Sequence, residues 1–389
     1  MARNLLAGNG MVDHLGRRAC RAPGYPLFLA GCYAVFGETP TAPRVLQSLI
    51  GAVSCLLVFL LAARCFDEAS GEIAAWIAAV YPFLAAYPAL LLAETLFVFL
   101  MLLVVLLWRP VWRSTVESPA ERQSEEEAQQ ASPTSGKGTR LWLGVMGTGL
   151  LLGLTIQVRS SLLLYPLFCL PLWLIAARRR MRALCLWLVI FALALLVQVP
   201  WTIRNHRIFD RFVPTTLLVG ESLLEANGPG ADGGPRIDKM AAERDPAVEQ
   251  LSEYDRNKYF RDKALEWIQE NPGRFVLLGF EKFRRFWNLV PNAPEYRTPL
   301  VCAMSLLTYG PVLAFGLVGI VVAWARRRPL LLIVTPVVYY SALHSVFVGS
   351  TRYRTSVIAF VIVFSARGLT WAWEKTRRRS AGSAEGPSP

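Results

Sequence analysis

The chain has 389 residues, 54% of them hydrophobic and only 18% charged, and carries a net charge of +13. Soluble domains hold ~25% charged residues, and the apolar runs near twenty residues that recur along this chain exclude an ordinary soluble globule. The runs lack the period-two alternation of a membrane β-barrel, and the basic residues stand in short clusters beside them, a topology signal and not a nucleic-acid surface.

Residues 1–44 are mixed in character, with an apolar stretch from Tyr25 to Phe36. About 12 residues cannot cross a bilayer that needs ~20, so this stretch predicts an interfacial helix within an outer loop. Val45–Ala63 is a full span, and Ile73–Trp108 follows with Glu94 as its one charge. Two spans need ~60 Å of helix, whereas about 36 residues at ~1.5 Å each supply roughly 54 Å, so the hairpin is tight and Glu94 falls near its far turn. Residues 109–140, with Pro, Ser, Gln and Glu125-Glu126-Glu127, have the composition of a disordered linker. Leu141–Val158, Ser160–Ala177 and Ala183–Trp201 predict three more spans. The polar segment 202–299 is turn-rich around Asn227-Gly228-Pro229-Gly230 and helical from about Val248 to Glu270. Asn271-Pro272-Gly273 breaks that helix, and a basic amphipathic stretch runs from Arg274 to Trp287. Leu300–Ala325, Leu330–Val348 and Thr355–Trp373 complete about nine spans, with a disordered tail over 374–389. The fold class predicted is thus all-α: a polytopic transmembrane helical protein with transmembrane regions 45–108, 141–201 and 300–373 and an α-rich loop domain over 202–299.

Orientation follows from charge. Arg64, Arg109, Arg113, Lys137, Arg140, Arg178-Arg179-Arg180, Arg326-Arg327-Arg328 and Arg377-Arg378-Arg379 fall on one side when the spans alternate, and that side is cytoplasmic. Segment 202–299 holds 15 basic and 15 acidic residues, so it carries no positive bias and is placed outside. Residues 1–44 land outside as well, with no span to carry them there, which predicts a transmembrane helix upstream of Met1. The seven cysteines are scattered without a CxxC pair and read as small apolar residues of helix packing. The three histidines share no metal-ligand spacing, so no metal site is predicted, and no cofactor; a divalent ion held by one carboxylate and water stays compatible with the sequence.

Four polar groups converge on the outer face. Arg21-Ala22-Pro23-Gly24-Tyr25-Pro26 makes a rigid turn, with Arg21 at the headgroup level and Tyr25 entering the interfacial helix. Glu94 is an ionisable group in an apolar hairpin, costly and hence a functional candidate; it can orient an acceptor hydroxyl or pair with Arg159 at the outer end of another span. Pro200-Trp201-Thr202-Ile203-Arg204-Asn205 closes a span with an interface tryptophan, and Arg204 is placed to hold phosphate. Last, Gly349-Ser350-Thr351-Arg352-Tyr353-Arg354, near His344, puts two arginines on the outer face against the topological bias. Arginine binds phosphate through a planar, permanently charged fork, so Arg352, Tyr353 and Arg354 together with Arg204 are the predicted donor-phosphate site. Arg21, Tyr25, Glu94, Arg159 and His344 are assigned to the acceptor vestibule. Each element also has a structural alternative: a turn, an ion pair, a snorkelling arginine or a satisfied helix-end histidine.

In order and spacing these elements resemble the GT-C class of polytopic glycosyltransferases, in the branch akin to dolichyl-phosphate-mannose protein mannosyltransferases and aminoarabinose lipid A transferases. The resemblance runs from Arg21-Ala22-Pro23-Gly24-Tyr25-Pro26, through Arg44 and Gln47, Ala93-Glu94, Pro200-Trp201-Thr202-Ile203-Arg204-Asn205 and Asn271-Pro272-Gly273-Arg274-Phe275 with Phe286-Trp287, to Arg352-Tyr353-Arg354. It implies transfer of a sugar from a polyprenyl-phosphate carrier to a lipid, glycan or protein acceptor at the outer face of a bacterial inner (plasma) membrane. It also implies that the first helix of the family, with its catalytic Asp, lies upstream of Met1. Asp13 falls after that motif and is not assigned as the base, so the catalytic residue stays unassigned in this chain, with Glu94 as a candidate. The rivals are a transporter or flippase for lipid-linked saccharides, which calls for an internal repeat or paired broken helices that the sequence does not display, and an inactive truncated homologue.

Overall fold

The computed structural model describes residues 1–118, 137–235, 248 and 250–384. Among them the chain is all-α. A short α1 (Ala2–Leu6) and a long loop lead to α2 (Gly24–Phe36), the predicted interfacial helix. The Arg21–Pro26 turn exists because α2 starts against another backbone: a Cβ at Gly24 would come within 2.7 Å of the Gln157 carbonyl oxygen.

The membrane helices follow: α3 (Thr41–Cys65), α4 (Glu68–Val80), α5 (Pro82–Ala86), α6 (Glu94–Val116), α7 (Lys137–Val158), α8 (Tyr165–Ala176) and α9 (Arg180–Phe209). The loop segment carries α10 (Val219–Asn227), α11 (Glu253–Glu270) and α12 (Pro272–Phe286), and α13 (Pro299–Val322), α14 (Arg327–Val346) and α15 (Thr351–Ala384) close the chain. Among the described residues six helices are long and apolar enough to cross a membrane on their own, and α4 with Pro82–Ala89, bent by 56°, makes a seventh. The other two expected spans are occupied by shorter apolar helices, Ser160–Ala176 and Leu330–Val346. The protein is therefore an integral membrane protein.

Several expected boundaries shift. The hairpin at 73–108 closes through Pro82, a 3-10 turn at Tyr87–Ala89 and extended residues up to α6, which starts at Glu94. Irregular backbone at membrane depth must have its polar groups satisfied by protein. Gln47, fully buried, does this by donating to the carbonyls of Pro88 and Leu90 (2.9 and 2.8 Å), and its own oxygen accepts from the Tyr25 hydroxyl at 2.7 Å. Residues 109–116 of the supposed linker continue α6, and α7 starts at Lys137; the acidic run 125–127 lies outside the described residues. The presumed tail is helical as far as Ala384. In both cases a charged stretch simply extends a helix beyond the apolar window that announces it.

Small residues set the closest packing, as in other helical membrane proteins. Gly319 of α13 and Gly368 of α15 face each other so closely that a Cβ on either would strike the opposite backbone. At the end of the bundle away from Glu94, Trp112 stacks on Trp173 (5.2 Å between centroids), and the Trp173 indole donates to Thr115 Oγ1 at 2.8 Å.

Candidate functional site

The N-terminus of α6 and the first turn of α15 meet at a buried ion pair. Glu94 is 1% exposed, and its Oε1 accepts from Arg352 Nε at 2.7 Å. Arg352 lies in a helical turn and not in the loop expected for it, and its side chain stays half-exposed. Glu94 thus takes Arg352, and not Arg159, as its hydrogen-bonded partner. Arg159, just past the end of α7, donates to Ser356 Oγ at 2.7 Å and still lies within electrostatic reach of Glu94. Its guanidinium sits 5.5 Å from the Phe97 ring and 5.6 Å from the Tyr353 ring. Glu94 Oε2 is buried and has no hydrogen-bond partner among the described residues.

An aromatic stack supports this cluster. The Tyr353 ring lies on His344 at 4.3 Å and 10°, and His344 also stacks on Phe286 (5.6 Å) and Tyr340 (5.9 Å). His344 Nδ1 bonds the Val348 carbonyl at 2.9 Å, which makes it a ring that shapes the floor of the site. A cavity of about 280 Å³ opens below Glu94, between α3, the α4–α5 break, α6 and α15. Its walls are mostly apolar (Val58, Leu84, Val98, Leu102, Ala359), with Ser48, Ser54, Tyr87, Glu94, Thr95 and Thr355 supplying polar groups.

Glu94, Arg159, His344, Arg352 and Tyr353 are thus brought together, with Tyr25 nearby through Gln47 and the electrostatic reach of Glu94. Two predicted phosphate ligands are not. Arg354 is 3% exposed and turned inward: it donates to the Asn288 carbonyl at 2.6 Å, and its guanidinium lies 3.5 Å from the Tyr309 ring centroid. Helical geometry explains the split, because residues two apart point about 160° away from each other on an α-helix of ~3.6 residues per turn. Arg204 lies inside α9, which runs past Trp201 to Phe209. It donates to the carbonyls of Arg18 (2.8 Å) and Met11 (3.3 Å) and stacks on Trp201, so it clasps the N-terminal segment. Arg21 stays exposed at the surface.

Arg204→Ala is therefore expected to loosen residues 11–18 and not the ion-pair cluster. Losing charge-assisted bonds of about 1.5–3 kcal/mol should raise local opening roughly tenfold or more, read as faster tryptic cleavage at Arg17 and Arg18 in limited proteolysis. Glu253 opposes this by accepting from the Arg18 and Ala19 amides (2.6 and 3.0 Å).

Asp13 serves the same segment. Its carboxylate accepts from the amides of Leu15 and Arg17, from Arg17 Nε and from the Cys20 thiol. Desolvation would raise its pKa, but the bonds from Arg17, Cys20 and Leu15 prevail and hold it down at about 2, too low for a base. None of the seven cysteines is in a disulfide. Among the described residues no three His, Cys, Asp or Glu side chains gather as a metal-ligand set, so Glu94 Oε2 is the one carboxylate oxygen at the cluster with coordination to spare.

Gln47 and Lys282 were not among the predicted site residues. Gln47 had a signal, a polar residue opening an apolar span; Lys282 had one too, standing four residues after Leu278 and four before Phe286, on the buried side of an amphipathic helix.

Residues 20–116, about a quarter of the chain, match the family described as dolichyl-phosphate-mannose-protein mannosyltransferase. No curated protein sequence matches the chain. Among solved structures, the archaeal oligosaccharyltransferase AglB from Archaeoglobus fulgidus, in complex with an inhibitory peptide and a dolichol-phosphate, is similar at a TM-score of 0.57 and 15% identity. The match covers 96% of this chain and 45% of that one. ArnT from Cupriavidus metallidurans bound to undecaprenyl phosphate is similar at a TM-score of 0.54 and 13% identity, covering 98% of this chain and 57% of that one. The chain spans about half the length of the solved proteins it matches. The likeness is one of fold: the helical arrangement of this chain is shared with these two membrane proteins.

Proposed function

We propose that the chain transfers a sugar from a polyprenyl-phosphate donor to a lipid, glycan or protein acceptor at the extracytoplasmic face of a bacterial inner membrane. The observation that carries this is the convergence of Arg159 and Arg352 on the single carboxylate Glu94, at the mouth of an apolar cavity within the membrane helices. Two guanidinium charges against one carboxylate leave the cluster with one positive charge to spare. The apolar cavity suits an isoprenoid chain, and its charged mouth suits the phosphate.

In the reaction, the acceptor oxygen attacks the anomeric carbon while the bond from that carbon to the phosphate oxygen breaks. The departing phosphate takes the electron pair, and charge developing on it is where guanidinium donors act most strongly. Arg352 spends only Nε on Glu94, so the edge bearing its two terminal nitrogens stays available for two phosphate oxygens. Arg159, held by Ser356 and flanked by Phe97 and Tyr353, adds a second fixed charge. The acceptor proton must pass to a base, and at this cluster Glu94 Oε2 is a buried carboxylate oxygen with no hydrogen-bond partner among the described residues. In this reading residues 1–44 and the described part of 202–299 roof the site.

Mass spectrometry of envelope lipids and glycans from a deletion strain tests this. A transferase lesion removes one sugar modification and leaves its lipid-phosphate precursor accumulating on the extracytoplasmic leaflet. Precursor stranded on the cytoplasmic leaflet would identify a flippase instead and overturn the proposal.

A further inference from the structure

Helix α12 has three faces. Leu278, Lys282 and Phe286 are fully buried, and Gly279 lies against the Ser345 carbonyl at the end of α14. Arg274, Glu281 and Arg284 form a polar face, with an Arg284–Glu281 pair at 2.9 Å. Between these lies a third face, apolar and open: Val276 is 54% exposed, Leu277 58%, Phe280 70% and Phe283 47%. Successive members are one, three and three residues apart, so at ~100° per residue they share one side of the helix. A helix in water has no use for a second apolar face.

We propose that this face is immersed in the lipid leaflet on the side of the Glu94–Arg352 cluster, so that α12 lies in the plane of the membrane. Three features select lipid over a protein partner. The face continues the lipid-facing surface of the span that follows: Leu300 and Leu307 of α13 are 79% and 76% exposed, and Tyr296, 66% exposed, stands between the two helices at the depth where interface aromatics collect. The helix packs across the end of α14, which is where a membrane boundary must fall. Its polar face carries Arg284 beside the apolar one, the arrangement that lets a guanidinium group reach headgroup phosphates while the apolar side chains reach acyl chains; Arg274 donates to the Ala231 carbonyl at 3.3 Å. This seat is independent of the reaction proposed above. Its consequence reaches the site, because Phe286 at the end of α12 stacks on His344, which in turn stacks on Tyr353.

The test uses the full chain in native membranes, with the photo-crosslinker p-benzoylphenylalanine placed in turn at Phe280 and at Glu281. Irradiation followed by mass spectrometry is expected to yield phospholipid adducts at position 280 at least fivefold above those at position 281. Equal lipid labelling at the two positions would overturn the proposal. So would an adduct at position 280 dominated by another protein or by a second copy of the chain.

Discussion

Arg352→Ala is expected to weaken binding of undecaprenyl phosphate at least tenfold, whereas Arg354→Ala is expected to lower the melting temperature and leave that binding close to the parent's. The two guanidiniums are two residues apart on one helix and do different work. Arg352 is half-exposed, and its removal leaves Glu94 to the remaining charge of Arg159. A charge-assisted bond to phosphate contributes about 1.5–3 kcal/mol, or roughly ten- to a hundredfold in affinity. Arg354 has no such freedom. Its removal orphans the Asn288 carbonyl, takes the guanidinium off the Tyr309 ring and leaves a void between α13 and α15. Breaking a buried network of this kind costs about 3 kcal/mol or more. Native mass spectrometry with undecaprenyl phosphate against undecaprenol reads the first effect, and intrinsic-fluorescence melting of the solubilised protein reads the second. If Arg352→Ala bound the phosphate as tightly as the parent, or if Arg354→Ala melted unchanged while losing the phosphate, the assignment of the two residues would be reversed.

The sequence made the membrane spans legible because twenty apolar residues in a row have few alternatives. It also singled out Glu94, Arg159 and Arg352, because a charge in such a place needs a reason. Which charges face one another was not legible. Arg352, Tyr353 and Arg354 looked like one loop; in a helix they diverge, one toward Glu94, one onto His344 and one into the bundle. Arg204 looked like the end of a span, but α9 continues two further turns and presents it to the N-terminal segment. Both misplacements share a cause: hydropathy marks where a helix enters the apolar layer and is blind to how far it extends beyond. The break between α4 and α6 had a partial signal in Pro82 and Pro88, whereas the residue that satisfies it, Gln47, lies on a different helix and is joined to it only by the fold.

The stability lost by holding Lys282 inside the protein should be recovered as pH rises from about 8 toward 10.5. Lys282 is fully buried, its ammonium donates to Asn227 Oδ1 at 2.5 Å and to the Val346 carbonyl at 2.9 Å, and burial lowers its pKa from 10.5 to about 8. Val346 ends α14, so the charge sits where a helix dipole is negative, which makes a buried lysine with no carboxylate partner among the described residues tolerable. The sign follows from linkage. Below pH 8 both folded and unfolded chains are protonated, and the folded one bears the whole desolvation cost, about 3 kcal/mol for a shift of this size. Between pH 8 and 10.5 the unfolded chain keeps its proton while the folded chain has released it, so stability climbs; above 10.5 both are neutral and the gain is complete. Lys282→Met keeps the length of the side chain and removes the titration, at the cost of leaving Asn227 Oδ1 without its donor. The parent should therefore gain on Lys282→Met by about 3 kcal/mol across that window, seen as melting curves that diverge between pH 7 and 10. Curves that stay parallel would mean that Lys282 keeps an ordinary pKa, and that water reaches the seam joining α10, α12 and the end of α14.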